Sequence, residues 1–257
     1  MSKLILVLLQ AVFLCCTLKK DHQLFADRNS LFTKPDSFKT INDIPSPQGY
    51  KKINGIANSF TEWLRAISLK RDNHVYLYNG LLKRNQTAQF AILDISIGNK
   101  DLQQCADAVM RLRAEYLFAT KQFNEIRFSD NRSKEYKWLG KNDRKGFASY
   151  LQNVFSWCNS ASLEKQLKPV DDFNNIQPGD VLIKGGFPGH AMMVTDVATN
   201  KEGKKIFMLA QSYMPAQNIH IVKNPINKSL SPWYEINNDN KIVTPEYLFY
   251  KDQLRRW

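Results

Sequence analysis

The chain has 257 residues, of which 43% are hydrophobic and 12% aromatic, enough apolar matter for one large domain or two small ones and too much for a disordered chain. Its 36 Lys+Arg against 24 Asp+Glu give a net charge of +12, which favours anionic partners without choosing among nucleic acid, acidic glycans and lipid head groups. No internal repeat, paired zinc-type CxxC, GxxxxGK[ST] phosphate loop or GxGxxG dinucleotide motif occurs, so nothing supports those classes.

Residues 1–16 read MSKLILVLLQAVFLCC: one lysine and then an apolar run too short to span a bilayer comfortably, the pattern of an export signal. The double cysteine at its end resembles a bacterial lipoprotein processing site, which makes Cys16, after the small Cys15, the residue to be lipidated. A plain secretory signal or a retained hydrophobic anchor fits the same run. Residues 17–48 are polar and punctuated, ending in Pro45 and Pro47, and read as a tether outside the core. A single domain over residues 49–257 follows.

Ser59 and Glu62 fit a capping box ahead of Phe60, Trp63, Leu64 and Ile67 at helical spacing. Val75 to Tyr78, Asn79-Gly80 and Leu81-Leu82 carry a hairpin signal, and Phe90 to Ile97 alternates as a strand. Asp101 with Gln104 caps an amphipathic helix on which Cys105 falls in the first turns. A helix N-terminus favours a thiolate, whereas a cysteine on an apolar face is usually a small buried hydrophobe. The stretch 121–145 is basic with interleaved aromatics such as Trp138, and reads either as a cleft wall for an anionic or glycan substrate or as a solvated flap. A second amphipathic helix runs from Phe147 to Cys158, and a short helical stretch spans Leu163 to Leu167. Cys105 and Cys158 are candidates for one disulfide, or either for a functional thiol.

The organising stretch is IQPGDVLIKGGFPGHAMMVTD, residues 176–196. Two apolar runs flank the turn Gly185-Gly186-Phe187-Pro188-Gly189, which predicts a β-hairpin with His190 at the mouth of its second strand. An imidazole there is placed to take and return a proton near neutral pH; an ordinary strand-edge histidine satisfied by a carbonyl is the competing reading. Ile206–Ala210 and Asn218–Val222 predict two further strands that close a small antiparallel sheet, with Gln211 at the end of the first. The C-terminal part reads as a covering strand and a final helix or turn, with Trp233, Tyr247 and Phe249 as packing residues and no chemistry.

Helix-borne cysteine, strand-borne histidine and a polar residue on the next strand are what a thiol nucleophile needs: Cys105 to attack, His190 to move the proton, Gln211 to orient the ring. PGDVLIKGGFPGHAMMVTDV and QQCADAVMRL resemble the corresponding segments of NlpC-type and amidase-type papain-like cysteine hydrolases. That resemblance implies an α+β fold in which a cysteine-bearing helix packs on a small antiparallel β-sheet, and an enzyme that cuts amide bonds; Trp138 of the basic segment and Gly186 and Gly189 of the glycine-rich turn are the candidate substrate-binding residues. The chain departs from it in lacking the Asp-Cys-Ser-Gly signature, in a cysteine that stands about a turn inside the helix, and in a third position that is not histidine. From Pro45 onward the chain also resembles a bacterial family of secreted or lipid-anchored proteins known only as domain of unknown function 4846, through VYLYNGLLKRNQ, DLQQCADAVMRLRAEYL, GGFPGHA and LAQSYMPAQNIHI.

These readings converge on an exported cysteine hydrolase of the periplasm or membrane-anchored envelope, acting on a peptide or peptidoglycan-like amide. The alternative is a non-catalytic envelope lipoprotein that uses the same fold as a binding module. Nucleic acid is the least favoured partner, because an exported chain seldom meets it and the basic residues are dispersed. No cofactor is implied, and no metal, since His22, His74, His190 and His220 lack ligand spacing with acidic partners.

Overall fold

Strand-forming residues dominate the second half of the chain, and there they build the sheet that organises the molecule. The computed structural model describes residues 37–236 and 239–257. The elements in chain order are β1 (Lys51–Lys52), α1 (Phe60–Arg65), β2 (Gln89–Ile92), α2 (Cys105–Ala119), β3 (Arg127–Ser129), β4 (Glu135–Lys137), α3 (Arg144–Trp157) and α4 (Ser160–Gln166). Then come β5 (Lys168–Pro169), β6 (Val181–Lys184), β7 (His190–Thr199), β8 (Lys205–Gln211), β9 (His220–Val222), β10 (Tyr234–Glu235), β11 (Lys241–Val243), β12 (Leu248–Tyr250) and β13 (Leu254–Arg256).

Nine strands form one sheet in the order β2-β9-β8-β7-β6-β13-β5, with β1 added to β7 and β10 to β8. Every pairing in it is antiparallel. β7 and β8 are its spine. On the outer side of β7, β6 pairs with the half that begins at His190 and β1 with the half that ends at Thr199. A bulge between Val194 and Asp196 shifts the β7–β8 register by one residue. Before it Met192 and Val194 face one layer, and after it Val197 faces that same layer, so the extra residue resets which side chains point where.

Both faces of the sheet are covered, which is why β7 and β8 read as continuous apolar runs. On one face α2 packs against β7, and Met193, Met208 and Ala210 meet Val109, Leu112 and Phe147 in the larger core. The other face is closed by β11 and β12, a two-stranded hairpin whose Ile242 and Phe249 join Leu182, Val194, Phe207 and Leu209. Among the described residues no helix is long and apolar enough to cross a membrane.

The expected papain-like architecture is overturned. A large nine-stranded antiparallel sheet dominates the fold, and the helices are few, in place of one cysteine-bearing helix on a small sheet. The reason lies in the short outer strands: β1, β5, β10 and β13 have two or three residues each, too few to show period-2 alternation. The C-terminal segment, read as a covering strand and a final helix or turn, supplies four strands, β10 to β13, with a single 3-10 turn at Lys251–Gln253 before the last. Ile41 and Ile44, in the stretch read as a tether, are fully buried in the larger core. In the basic segment the aromatics turn inward and the charges outward: Phe128, Tyr136 and Trp138 are buried while Arg127 and Lys137 are exposed on a small hairpin, β3–β4.

Candidate active site

Gln104 is the N-cap of α2, and its backbone N–H donates to Asp107 Oδ2 at 3.0 Å. Cys105 is therefore the first residue of the helix and not a turn inside it. The half-buried thiol borders a cleft of about 320 Å³ whose walls come from Asp101 and Asp107, from the α3–α4 junction at Trp157, Cys158 and Ser160, and from Gly186, Phe187, Gly189 and Met214. The rim is apolar and exposed, with Phe187 at 95%, Trp157 at 61% and Met214 at 51% of full exposure. The turn 185–189 presses close to α4. A Cβ on Gly189 would lie 2.4 Å from Gly186 O and 2.5 Å from Ser160 Oγ, and Gly186 itself holds φ +99°. Only glycine fits either position.

His190 opens β7 at the edge of this turn, and its ring is enclosed by Tyr213, Tyr247 and Phe249 at centroid distances of 4.7, 5.0 and 5.8 Å. His190 Nε2 lies 2.9 Å from Gln211 Oε1. Gln211 Nε2 donates to Glu246 Oε2 at 2.8 Å and lies 3.3 Å from His220 Nε2, while His220 Nδ1 lies 2.9 Å from Asn218 O. Glu246 is paired with Lys83 and also accepts from Asn85 Nδ2 at 3.1 Å. The Cys105 sulfur lies against the Ala191 N–H, and its charge is felt by Tyr213 and Tyr247, two of the rings on His190.

Burial sets the charge state of the pair. It pushes the Cys105 thiol up to about 11, with Asp107 adding to the shift and the N–H groups of Ala106, Ala191 and Cys105 opposing it. It pushes His190 down to about 4 against the opposing pull of Gln211 and Glu246, and Lys83 adds to the fall. The resting pair is therefore a thiol and a neutral imidazole. The thiolate expected from the helix N-terminus loses to desolvation, which outweighs the dipole at a site this enclosed. Asp107 is likewise raised well above the usual carboxylate range by burial, and its Oδ1 has no hydrogen-bond partner.

Of the residues singled out in the sequence, His190 and Gln211 are bonded to each other, Cys105 lies against the N–H of the neighbouring Ala191, and Cys105, Gly186 and Gly189 line the cleft, while His190 is buried behind it. Trp138 does not line the cleft: it is buried among Phe118, Phe147 and Tyr150. Cys105 and Cys158 are both free thiols and border the same cleft. Cys16 lies outside the described residues. Lys83, Glu246 and His220 escaped sequence reasoning, as did the rim residues Trp157 and Met214. An unmatched glutamate in a C-terminal hairpin gives no periodicity or spacing signal, since only the fold brings residue 246 to residue 211. Among the described residues no group of three or more His, Cys, Asp or Glu side chains is arranged to hold a metal.

No curated protein and no solved structure matches the chain. A family model described as a domain of unknown function (4846) matches residues 41–140 and 130–256, which is most of the chain, and the protein belongs to that family.

Proposed function

We propose that this cleft is the active site of an exported cysteine hydrolase that cleaves an amide or peptide bond in the cell envelope. The observation that carries the reading is the placing of three chain-distant groups in one neighbourhood: a cysteine at the first position of α2 against the Ala191 N–H, a histidine beginning β7 one residue earlier, and a glutamine ending β8 bonded to Nε2 of that histidine. In the reaction the Cys105 sulfur attacks the carbonyl carbon as His190 takes the thiol proton, and His190 returns that proton to the departing amine. Water then hydrolyses the thioester, with His190 again receiving and returning a proton. The N–H groups of the first turn of α2 have no intrahelical acceptor and supply donors for the oxyanion. The exposed Phe187, Trp157 and Met214 favour a peptide-like substrate with apolar groups beside the scissile bond. The envelope location, and the lipid anchor at Cys16, rest on residues 1–16 alone.

The test is alkylation by a peptidyl chloromethyl ketone, mapped by mass spectrometry. Modification of Cys105 in preference to Cys158, lost in His190→Ala, supports the reading. Labelling that is absent from Cys105, or equally fast in the His190→Ala variant, overturns it. A second reading is a binding module that uses the same cleft without turnover, and the neutral resting pair favours it. It predicts saturable peptide binding that survives Cys105→Ala.

A further inference from the structure

We propose that Glu246 is a positioning residue: acting through Gln211, it fixes His190 in the tautomer whose proton sits on Nε2, leaving Nδ1 bare to accept the Cys105 proton. This rests on the reading of Cys105 and His190 as a catalytic pair.

The assignment follows from which atoms can only accept. Asn218 O is a carbonyl, so the His220 Nδ1 that lies 2.9 Å from it must carry a proton. His220 is wholly buried and uncharged near neutral pH, so its Nε2 is a bare acceptor, 3.3 Å from Gln211 Nε2. Glu246 Oε2, 2.8 Å from that same Gln211 nitrogen, belongs to a carboxylate held ionised by Lys83 and also only accepts. Both amide hydrogens of Gln211 are therefore committed, one to His220 and one to Glu246. Turning the amide over would set its oxygen against two acceptors, so Gln211 Oε1 must face His190. An oxygen 2.9 Å from His190 Nε2 requires the proton on that nitrogen. The neutral ring then leaves Nδ1, the nitrogen nearer the main chain, without a proton, and the N–H that Cys105 meets belongs to the next residue, Ala191.

Lys83 completes the device. A lone carboxylate so near would hold His190 protonated, and a protonated ring accepts nothing. Lys83, itself 8% exposed, pairs with Glu246 and offsets its charge, so the pair orients the glutamine without charging the histidine. Glu246 sits in the turn between β11 and β12, so the hairpin that covers the second core layer also sets the proton on His190.

The test is the ring-nitrogen NMR spectrum of protein carrying ¹⁵N-histidine, which reads the tautomer without any substrate. Wild type is expected to show His190 with a protonated Nε2 and an unprotonated Nδ1 at neutral pH. In Glu246→Ala only the longer 3.3 Å contact with His220 still orients the amide, so the two His190 nitrogen shifts move toward each other as the tautomers mix. That variant leaves Lys83 buried and unpaired, so the double variant Lys83→Met/Glu246→Leu, which removes both charges, is measured beside it and should show the same mixing. A wild-type His190 protonated on Nδ1, or a double variant that keeps the wild-type shifts, overturns the proposal. Because the readout is independent of turnover, failure of Cys105 to react with the chloromethyl ketone would sink the hydrolase reading while leaving the tautomer assignment standing.

Discussion

Cys105 and His190 are each driven toward neutrality by burial, and the consequence is a thiol that stays protonated at neutral pH. Native Cys105 should react slowly with iodoacetamide at pH 7, and its rate should keep rising between pH 7 and 9 with no plateau near the ordinary thiol value of about 8.5. A plateau near pH 8 or below, measured by mass spectrometry, would show a thiolate that this degree of burial does not allow. The two buried imidazoles also carry a stability cost that depends on pH. His220 titrates near 6.5 when unfolded and at about 4 when folded, so between those values the unfolded chain holds more protons and stability falls as pH is lowered. Asp107, raised by burial, acts in the opposite sense. The contribution of His220 therefore has to be read as a difference. Urea unfolding of wild type and His220→Gln at pH 7 and pH 5 should show the smaller loss on acidification in the variant, whose glutamine still offers Gln211 an acceptor.

At the scale of elements, the turn 185–189 and the strand that follows it do separate jobs. Gly189→Ala places a methyl group against Gly186 O and Ser160 Oγ, so the turn must shift off α4; a loss of about 1–3 kcal/mol in urea unfolding is expected, with altered Cys105 labelling. Beyond the bulge, Asp196 is fully buried and holds Arg65 of α1 at 2.7 Å and Lys52 of β1 at 3.1 Å. Asp196→Ala leaves two cations without their partner and should cost ~3–5 kcal/mol by the same measurement, with the cleft geometry retained. The hairpin around His190 was legible in the sequence because glycine-rich punctuation is a local signal, whereas α2 was legible but its start reads about a turn early, since Asp101 resembles a cap and the N-cap is Gln104. The ion pair was not legible, since nothing in a run of apolar strand residues marks Asp196 as the partner of an arginine 131 positions away. Trp138 misled for a related reason: aromatics among lysines look like a binding wall until strand alternation turns one set inward.

Across the whole molecule, the domain begins earlier than its composition suggests. Ile41 and Ile44 are fully buried, and Trp233 Nε1 donates to Pro45 O at 2.8 Å, so a polar-looking arm closes the core beneath the sheet. Burying two isoleucines is worth about 3–6 kcal/mol before any cavity cost. A chain that starts at residue 49 should therefore melt well below one that starts at residue 37, by circular dichroism, and equal melting temperatures would refute that role. The sheet was underestimated because its outer strands are defined by their partners and not by their own sequences. Local pattern finds β7 and β8, but only long-range pairing finds β5, β10 and β13.

The C-terminal hairpin supplies Glu246, Tyr247 and Phe249 to the surroundings of a histidine more than fifty residues upstream. During synthesis, therefore, the nascent chain carries Cys105 and His190 long before it carries what encloses them. Until residue 250 has left the ribosome the ring lacks two of its three aromatic neighbours and Gln211 lacks one of its two acceptors. Assembly of the surroundings of His190 is tied in this way to completion of translation, and an incomplete chain would carry Cys105 and His190 without the hairpin that encloses them.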